Sequence, residues 1–227
     1  MGIHDGHRDR LKARFLEQGL DGFNELNALE LLLFYAIPRR DTNELAHALL
    51  DRFETLSGVF DASFEELTEV PGIGAHTAAL IRLVPQLVRK SAIDEGKHTR
   101  TISNSRDAGQ YFVPRFAFER EEVLLLACLD SQKRVSSCTE MGRGVVNEVP
   151  ASVRRITETA LKKRASSVML AHNHPDSLAI PSREDELLTR EIMSALRLLD
   201  IPLIDHIIVS GEEYFSFADA GMLRLLK

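Results

Sequence analysis

The stretch LAHNHPDSLAIPSRED, residues 170–185, sets His172 and His174 two positions apart at the end of an apolar run and follows them with Ser182 and Asp185 on an S-x-x-D spacing. The run SSVMLAH reads as a strand, and alternate residues of a strand point to one face. Both imidazoles can therefore reach one ion. The chain then loops back, and Ser182 can cap the next helix while Asp185, at the third helical position, faces the same end. Two nitrogens and one carboxylate oxygen suit Zn²⁺ and leave a fourth position for water, as catalytic zinc sites do. Each half has an ordinary alternative, two histidines in a polar loop and a plain helix start. Their conjunction within fourteen residues, after a strand and before a helix, points to a metal. The literal string HNH carries no further meaning, because the nuclease motif of that name is spread over a ββα unit.

The elements that must position these residues come from the rest of the pattern. Up to about residue 100 the chain reads as helical. HRDRLKARFLEQG pairs Leu11 with Phe15 at i, i+4 and stops at Gly19. LNALELLLFYAIP starts behind a cap at Asn27 and must end before Pro38. A third helix fits Asp41 to Phe53, and Ser63 with Glu66 forms a capping box for a fourth. The polar stretch SAIDEGKHTRT, residues 91–101, reads as a linker, which sets domain boundaries of 1–100 and 101–227. Beyond it, VLLLACL and RVSSCTEM read as two strands around a turn at Asp130, Gly142 and Gly144 bracket another turn, and VRRITETALKKR is an amphipathic helix. Strand SSVMLAH, a helix opening at Ser182, strand PLIDHIIVSG and a short EYFSF strand follow. The expected class is α+β, an all-helical N-terminal domain before helices packed on a mostly buried mixed sheet.

Composition limits what such a protein does. A hydrophobic content of 44% in 227 residues fills a real core, and no apolar run approaches the roughly 18 to 20 residues that cross a bilayer. No secretory leader is recognisable and two cysteines make no disulfide framework, so a cytoplasmic, reducing location is expected. Cys128, inside an apolar strand, is expected in the core. Lys+Arg number 12 against 16 Asp+Glu up to residue 100, and 16 against 18 beyond it. Neither half is basic, so any contact with nucleic acid must use a small local site.

His172-Asn-His174-Pro175 with Ser182-x-x-Asp185 resembles the JAMM signature of MPN metalloproteases, and the bacterial RadC family (UPF0758) is similar over nearly the whole chain, including IDHIIVSGEEYFSF from 204 and LDSQKRV at 129. The resemblance implies a C-terminal JAMM/MPN-like fold of the cytidine-deaminase type, zinc held by His172, His174 and Asp185, and amide hydrolysis of a peptide or protein substrate. It also implies a general base at the head of the first strand of that domain. That position is Glu122, with Glu121 as the competitor one residue away; strand alternation lets only one of the two face the metal. Ser182 would by resemblance orient water or stabilise an oxyanion, while local chemistry gives it equally an N-cap role. The chain departs from the family at Asp176-Ser177, Gly144-Val145 and Val153-Arg154-Arg155, where Ser-Gly, Gly-Thr and Pro-Arg-Glu are usual. His206 is expected as a hydrogen-bonded core or ligand-supporting residue rather than a ligand, with Asp205 on the opposite face.

VPGIGAHTAALI, residues 70–81, reads as a helix-hairpin-helix, in which Gly72 and Gly74 let backbone N–H groups approach a phosphate without reading bases. Such hairpins also serve as packing units. Two functions from different classes remain open on sequence: a zinc metalloprotease or isopeptidase, and a DNA-associated factor binding weakly and non-specifically through the hairpin, with an inert or structural metal domain.

Overall fold

The computed structural model describes residues 5–38, 40–95, 101–144, 149–175 and 177–226. Its contacts divide the chain into two compact units, Met1–Val88 and Arg89–Lys227.

The first unit is helical: α1 (Asp5–Gln18), α2 (Glu25–Ala36), α3 (Asn43–Phe53), α4 (Leu56–Asp61), α5 (Phe64–Thr68) and the first turns of α6 (Ala75–Glu95). Leu29, Leu33, Leu49, Val59, Leu67 and Ile81 make its core, and Leu11 with Phe34 packs α1 onto α2. The cap of α2 is Asn24, whose side chain accepts from the Asn27 N–H at 2.8 Å; the expected cap at Asn27 is thus three residues late. The Asn27 side chain is not the cap because a strong turn former precedes it at the true start. The Ser63–Glu66 capping box is present. α4, too short to show a period, is an element that the sequence pattern does not reveal.

The expected linker at 91–101 is a different matter. Residues 91–95 continue α6, and 96–100 lie outside the described residues. Polarity marks solvent exposure, and Ser-Ala-Ile-Asp-Glu contains no helix breaker, so a solvated helix end and a linker read alike.

The second unit adds α7 (Ser105–Phe116), β1 (Val123–Leu129), β2 (Val135–Arg143), α8 (Val149–Lys162), β3 (Ser167–Asn173), α9 (Arg183–Arg197), β4 (Leu203–Ser210), β5 (Glu213–Ser216) and α10 (Met222–Leu225). The fold is α+β. Five strands run in the order β2-β1-β3-β4-β5, antiparallel except for the β3–β4 pair. That parallel pair is made by the α9 crossover, and it carries the ends of β3 and β4 to one edge of the unit. Alternation splits the sheet cleanly: Leu124, Leu126, Cys128, Val168 and Leu170 pack under Ile156 of α8 and Ile192 of α9. Val123, Ala127, Leu129, Met169, Ala171, Ile207 and Val209 face Phe112 of α7. Cys128 is core, as expected. Gly142 lies inside β2 instead of in a turn, whereas Gly144, with φ of 74°, does end the strand. α7 also escapes the sequence pattern, since Gly109 and Pro114 interrupt its apolar period.

Candidate metal centre

β3 carries His172 to the α9 side of the sheet, opposite Leu124 of β1. One residue past the end of the strand, the His174 N–H still donates to Val209 O at 2.8 Å, which keeps its side chain in alternation with His172. Asp185 arrives from the first turn of α9. Ser182 caps that helix: its Oγ accepts the Asp185 N–H at 3.1 Å and donates to Asp185 Oδ2 at 2.7 Å, while the Ser182 N–H donates to the same oxygen at 2.8 Å. The capping box that starts α9 thereby aims its aspartate.

The donor atoms converge. His172 Nε2 lies 2.9 Å from His174 Nε2 and 3.0 Å from Asp185 Oδ1, and His174 Nε2 lies 3.5 Å from Asp185 Oδ2. Among the described residues these three form the cluster of potential ligands in which every donor is within 4.8 Å of the others. Burial raises the Asp185 carboxyl, but a hydrogen bond and positive charge at the His172 position, which a proton or a cation held there would supply, and the two bonds from Ser182 outweigh it and hold the pKa well below the usual carboxylate range. The carboxylate is therefore ionised.

His174 Nδ1 is 3.0 Å from Leu178 O, a group that only accepts, so Nδ1 carries the proton and Nε2 presents its lone pair. His172 Nδ1 meets His206 Nε2 at 2.8 Å in the buried interior. Burial holds the His206 pKa well below the ordinary histidine value, so His206 is neutral. With His172 neutral and its Nδ1–H given to His206, acceptor faces acceptor across the whole cluster. That arrangement is repulsive unless a cation sits in it. A proton can bridge one pair, while a divalent ion uses all three donors at once. Two ligands of a tetrahedral zinc ion lie about 3.3 Å apart when each bond is about 2.0–2.1 Å; the spacings seen are within a few tenths of an ångström of that. The donor set fits zinc.

Leu124 pairs with His172, so the alternation of β1 carried back past its first residue would set Glu122 on the His172 face and Glu121 on the α7 face. Glu121 lies 3.7 Å from Arg143, whereas the exposed Glu122 carboxylate makes no hydrogen bond or ion pair among the described residues and is not part of the three-donor cluster. Its backbone is clamped. Asn173, between the two histidines, accepts the Val123 N–H at 2.8 Å and donates to Glu121 O at 3.0 Å, while the Gly144 N–H donates to Glu122 O at 2.9 Å. One buried amide thus holds the chain on both sides of Glu122, a role for Asn173 that sequence reasoning missed.

His206 is fully buried between His172 and Thr189 and stacks on Phe217, with ring centroids 4.9 Å apart. Asp205 is on the other face, where it accepts from Ser216 Oγ at 2.6 Å and from the Ala218 N–H at 2.9 Å. Thr189 was not singled out by its type, although its place four residues beyond Asp185 on a helix was a usable signal. Of the departures from the family pattern, Val153 packs on the α8–α9 core and Arg155 donates to Met141 O at 2.8 Å. Arg154 is exposed and pairs with Glu158. Asp176 and Val145 lie outside the described residues.

The hairpin residues sit in the first unit. Gly72 has φ of 91°, and a Cβ there would stand 2.7 Å from Leu45 Cδ2; Gly74, just before α6, has open space around it. Gly72 is thus a packing and backbone requirement, and Gly74 leaves the helix N-terminus accessible. Met1–Val88 contains 8 Lys+Arg and 14 Asp+Glu, so the entire net charge of −6 falls on this unit and the other is balanced at 20 and 20.

Residues 102–222 match the RadC-like JAB domain and residues 55–84 the helix-hairpin-helix motif. The chain belongs to the RadC family. It is 34% identical to a UPF0758 protein of Fusobacterium nucleatum over 97% of this chain and 98% of that one. It is 33% identical to a UPF0758 protein of Methylibium petroleiphilum over 94% and 96%, and 29% identical to one of Paraburkholderia xenovorans over 94% and 84%. No helix among the described residues is long and apolar enough to cross a membrane.

Proposed function

We propose that the C-terminal unit is a zinc-dependent amide hydrolase of the metalloprotease or isopeptidase type, acting on a peptide or protein. The observation that carries this reading is the convergence of His172 Nε2, His174 Nε2 and the ionised Asp185. When bound there, zinc supplies a water of lowered pKa and a Lewis acid for a carbonyl. His172, His174 and Asp185 would hold it. Glu122, unpaired and on the ligand face, takes a proton from the attacking water and returns it to the leaving amine. Ser182 orients Asp185 through its hydroxyl; in the observed rotamer its one proton is committed to Oδ2, so contact with an oxyanion requires a second rotamer. The test is zinc content beside peptide cleavage for wild type and Glu122→Gln. Zinc retained with cleavage lost supports the reading; a wild type that binds no zinc overturns it.

A second reading, weak and sequence-independent DNA contact through the hairpin, is favoured by the accessible backbone at Gly74 ahead of α6. The acidic balance of that unit opposes it. Fluorescence anisotropy of the full chain with duplex DNA at low salt decides between contact and a plain packing role. A cytoplasmic location belongs to the same proposal.

A further inference from the structure

Behind the three candidate ligands lies a buried polar pair that the hydrolytic reading does not use. His206 and Thr189 are both fully buried, at 0% exposure. Burying an imidazole and a hydroxyl is costly unless each hydrogen bond is made. Here they close a loop between two ligands from different elements. His172 Nδ1 meets His206 Nε2 at 2.8 Å, His206 Nδ1 meets Thr189 Oγ1 at 2.7 Å, and Thr189 Oγ1 donates to Asp185 O at 2.5 Å.

The protons in this loop can be assigned from donors and acceptors alone. A main-chain carbonyl only accepts, so the single Thr189 proton is committed to Asp185 O. Thr189 must then accept from His206, which places a proton on His206 Nδ1. Among the described residues no carboxylate hydrogen-bonds to the His206 ring, and a second proton there would be a buried, unpaired charge. His206 Nε2 is therefore an acceptor, and the His172 Nδ1–H donates to it. That leaves His172 Nε2 bare, directed at His174 and Asp185. Phe217, stacked 19° from parallel with the His206 ring, fixes the plane of the relay.

We infer that His206 and Thr189 are positioning residues: together they fix His172 as its Nδ1–H tautomer and tie it to the main chain of Asp185, so that a strand ligand and a helix ligand are set as one unit. The inference rests on the metal reading for its purpose but not for its proton assignments. An imidazole ligand can otherwise bind through either nitrogen, and the choice is made by what the other nitrogen bonds. On the helix, the threonine lies one turn beyond the ligand, where it can receive from His206 and still reach back to the Asp185 carbonyl.

The experiment has two arms. In the first, ¹⁵N NMR of histidine-labelled wild-type protein at mildly alkaline pH identifies the His206 tautomer, with and without added zinc. Nδ1–H is expected in both states; Nε2–H in either overturns the relay, whatever zinc does. In the second, the zinc dissociation constant is measured by chelator competition. Thr189→Val keeps the volume and removes the hydroxyl, and should weaken zinc about 10-fold; His206→Phe keeps the stack on Phe217 and should weaken it up to about 100-fold. Thr189→Ser should restore affinity to within about twofold of wild type. Folded Thr189→Val and His206→Phe proteins with unchanged zinc affinity overturn the relay. If either variant fails to fold, the wild-type NMR result decides alone. A wild type that binds no zinc ends the metal reading, and the tautomer measurement still judges the relay.

Discussion

The two units of this protein treat polar groups in opposite ways. The helical unit carries the whole net charge of −6 and, among the described residues, buries Glu30, Thr42 and Thr77 as its polar residues; the sheet unit is charge-balanced and there buries His172, Asn173, Thr189, Asp205 and His206 beside Ser167 and Ser216. Five of these seven are a candidate ligand, bond to one or to its main chain, hold the backbone around Glu122, or lie one residue from such a group. A buried polar group lowers stability unless it is bonded. Their clustering around the three candidate ligands therefore marks where geometry has been favoured over ease of packing, whereas Glu30 and Thr42 in the helical unit lie outside its hairpin motif.

The strongest way to break this comparison is to remove a donor. Wild-type protein prepared without chelator should contain about one zinc per chain, and His174→Ala should lose nearly all of it by elemental analysis; full occupancy in that variant would move the metal elsewhere. Next in size, Glu122→Gln should keep zinc and lower the rate on any peptide that wild type cleaves by about 10² to 10⁴. Glu121→Gln should change neither, because its side chain belongs to the Arg143 side; the reverse result would place the base one residue earlier.

In the helical unit the two glycines should separate. Gly72→Ala should cost about 1–3 kcal/mol in chemical denaturation, from a positive φ and a Cβ against Leu45. Gly74→Glu should change stability by no more than about 0.5 kcal/mol, yet abolish any salt-sensitive DNA binding by placing a carboxylate where phosphate would sit. Equal loss of stability in both variants would remove the distinction between a packing glycine and an open one.

The smallest effect concerns acid. Burial raises the Glu119 carboxyl, but the bonds from Arg143 and Arg89 outweigh it and leave its pKa below the ordinary value of 4.5. A group whose folded pKa is depressed contributes stability that is complete above its unfolded pKa and is lost as pH falls through the folded one. Thermal melts of wild type should thus decline below about pH 4.5 more steeply than those of Glu119→Gln. Parallel curves for the two would show that the ion pairs contribute nothing.

Much of the site was legible before any fold was known. His172, His174 and Asp185 were identified by short-range spacing, because a strand and a helix start translate two-residue and three-residue intervals directly into direction. Local ambiguity defeated the reading elsewhere. Asn24 and Asn27 are both good caps, and only the observed bond selects the first. Residues 91–95 are polar whether helical or not, and α7 hides its period behind a glycine and a proline.

The sequence by itself determined the candidate ligand set, the capping box that aims Asp185, the sheet's alternation and the acidity of the hairpin unit, since all of these depend on residue type and near-neighbour spacing. Only the tertiary structure placed Leu124 opposite His172, set His206 and Thr189 behind His172 and Asp185, and clamped the backbone around Glu122 with Asn173. Those facts depend on pairs far apart in the chain, His172 with His206, Asn173 with Val123 and Leu124 with His172. Such contacts exist only once β1, β3 and β4 have registered against one another, because a one-residue slip would turn every one of these side chains to the opposite face.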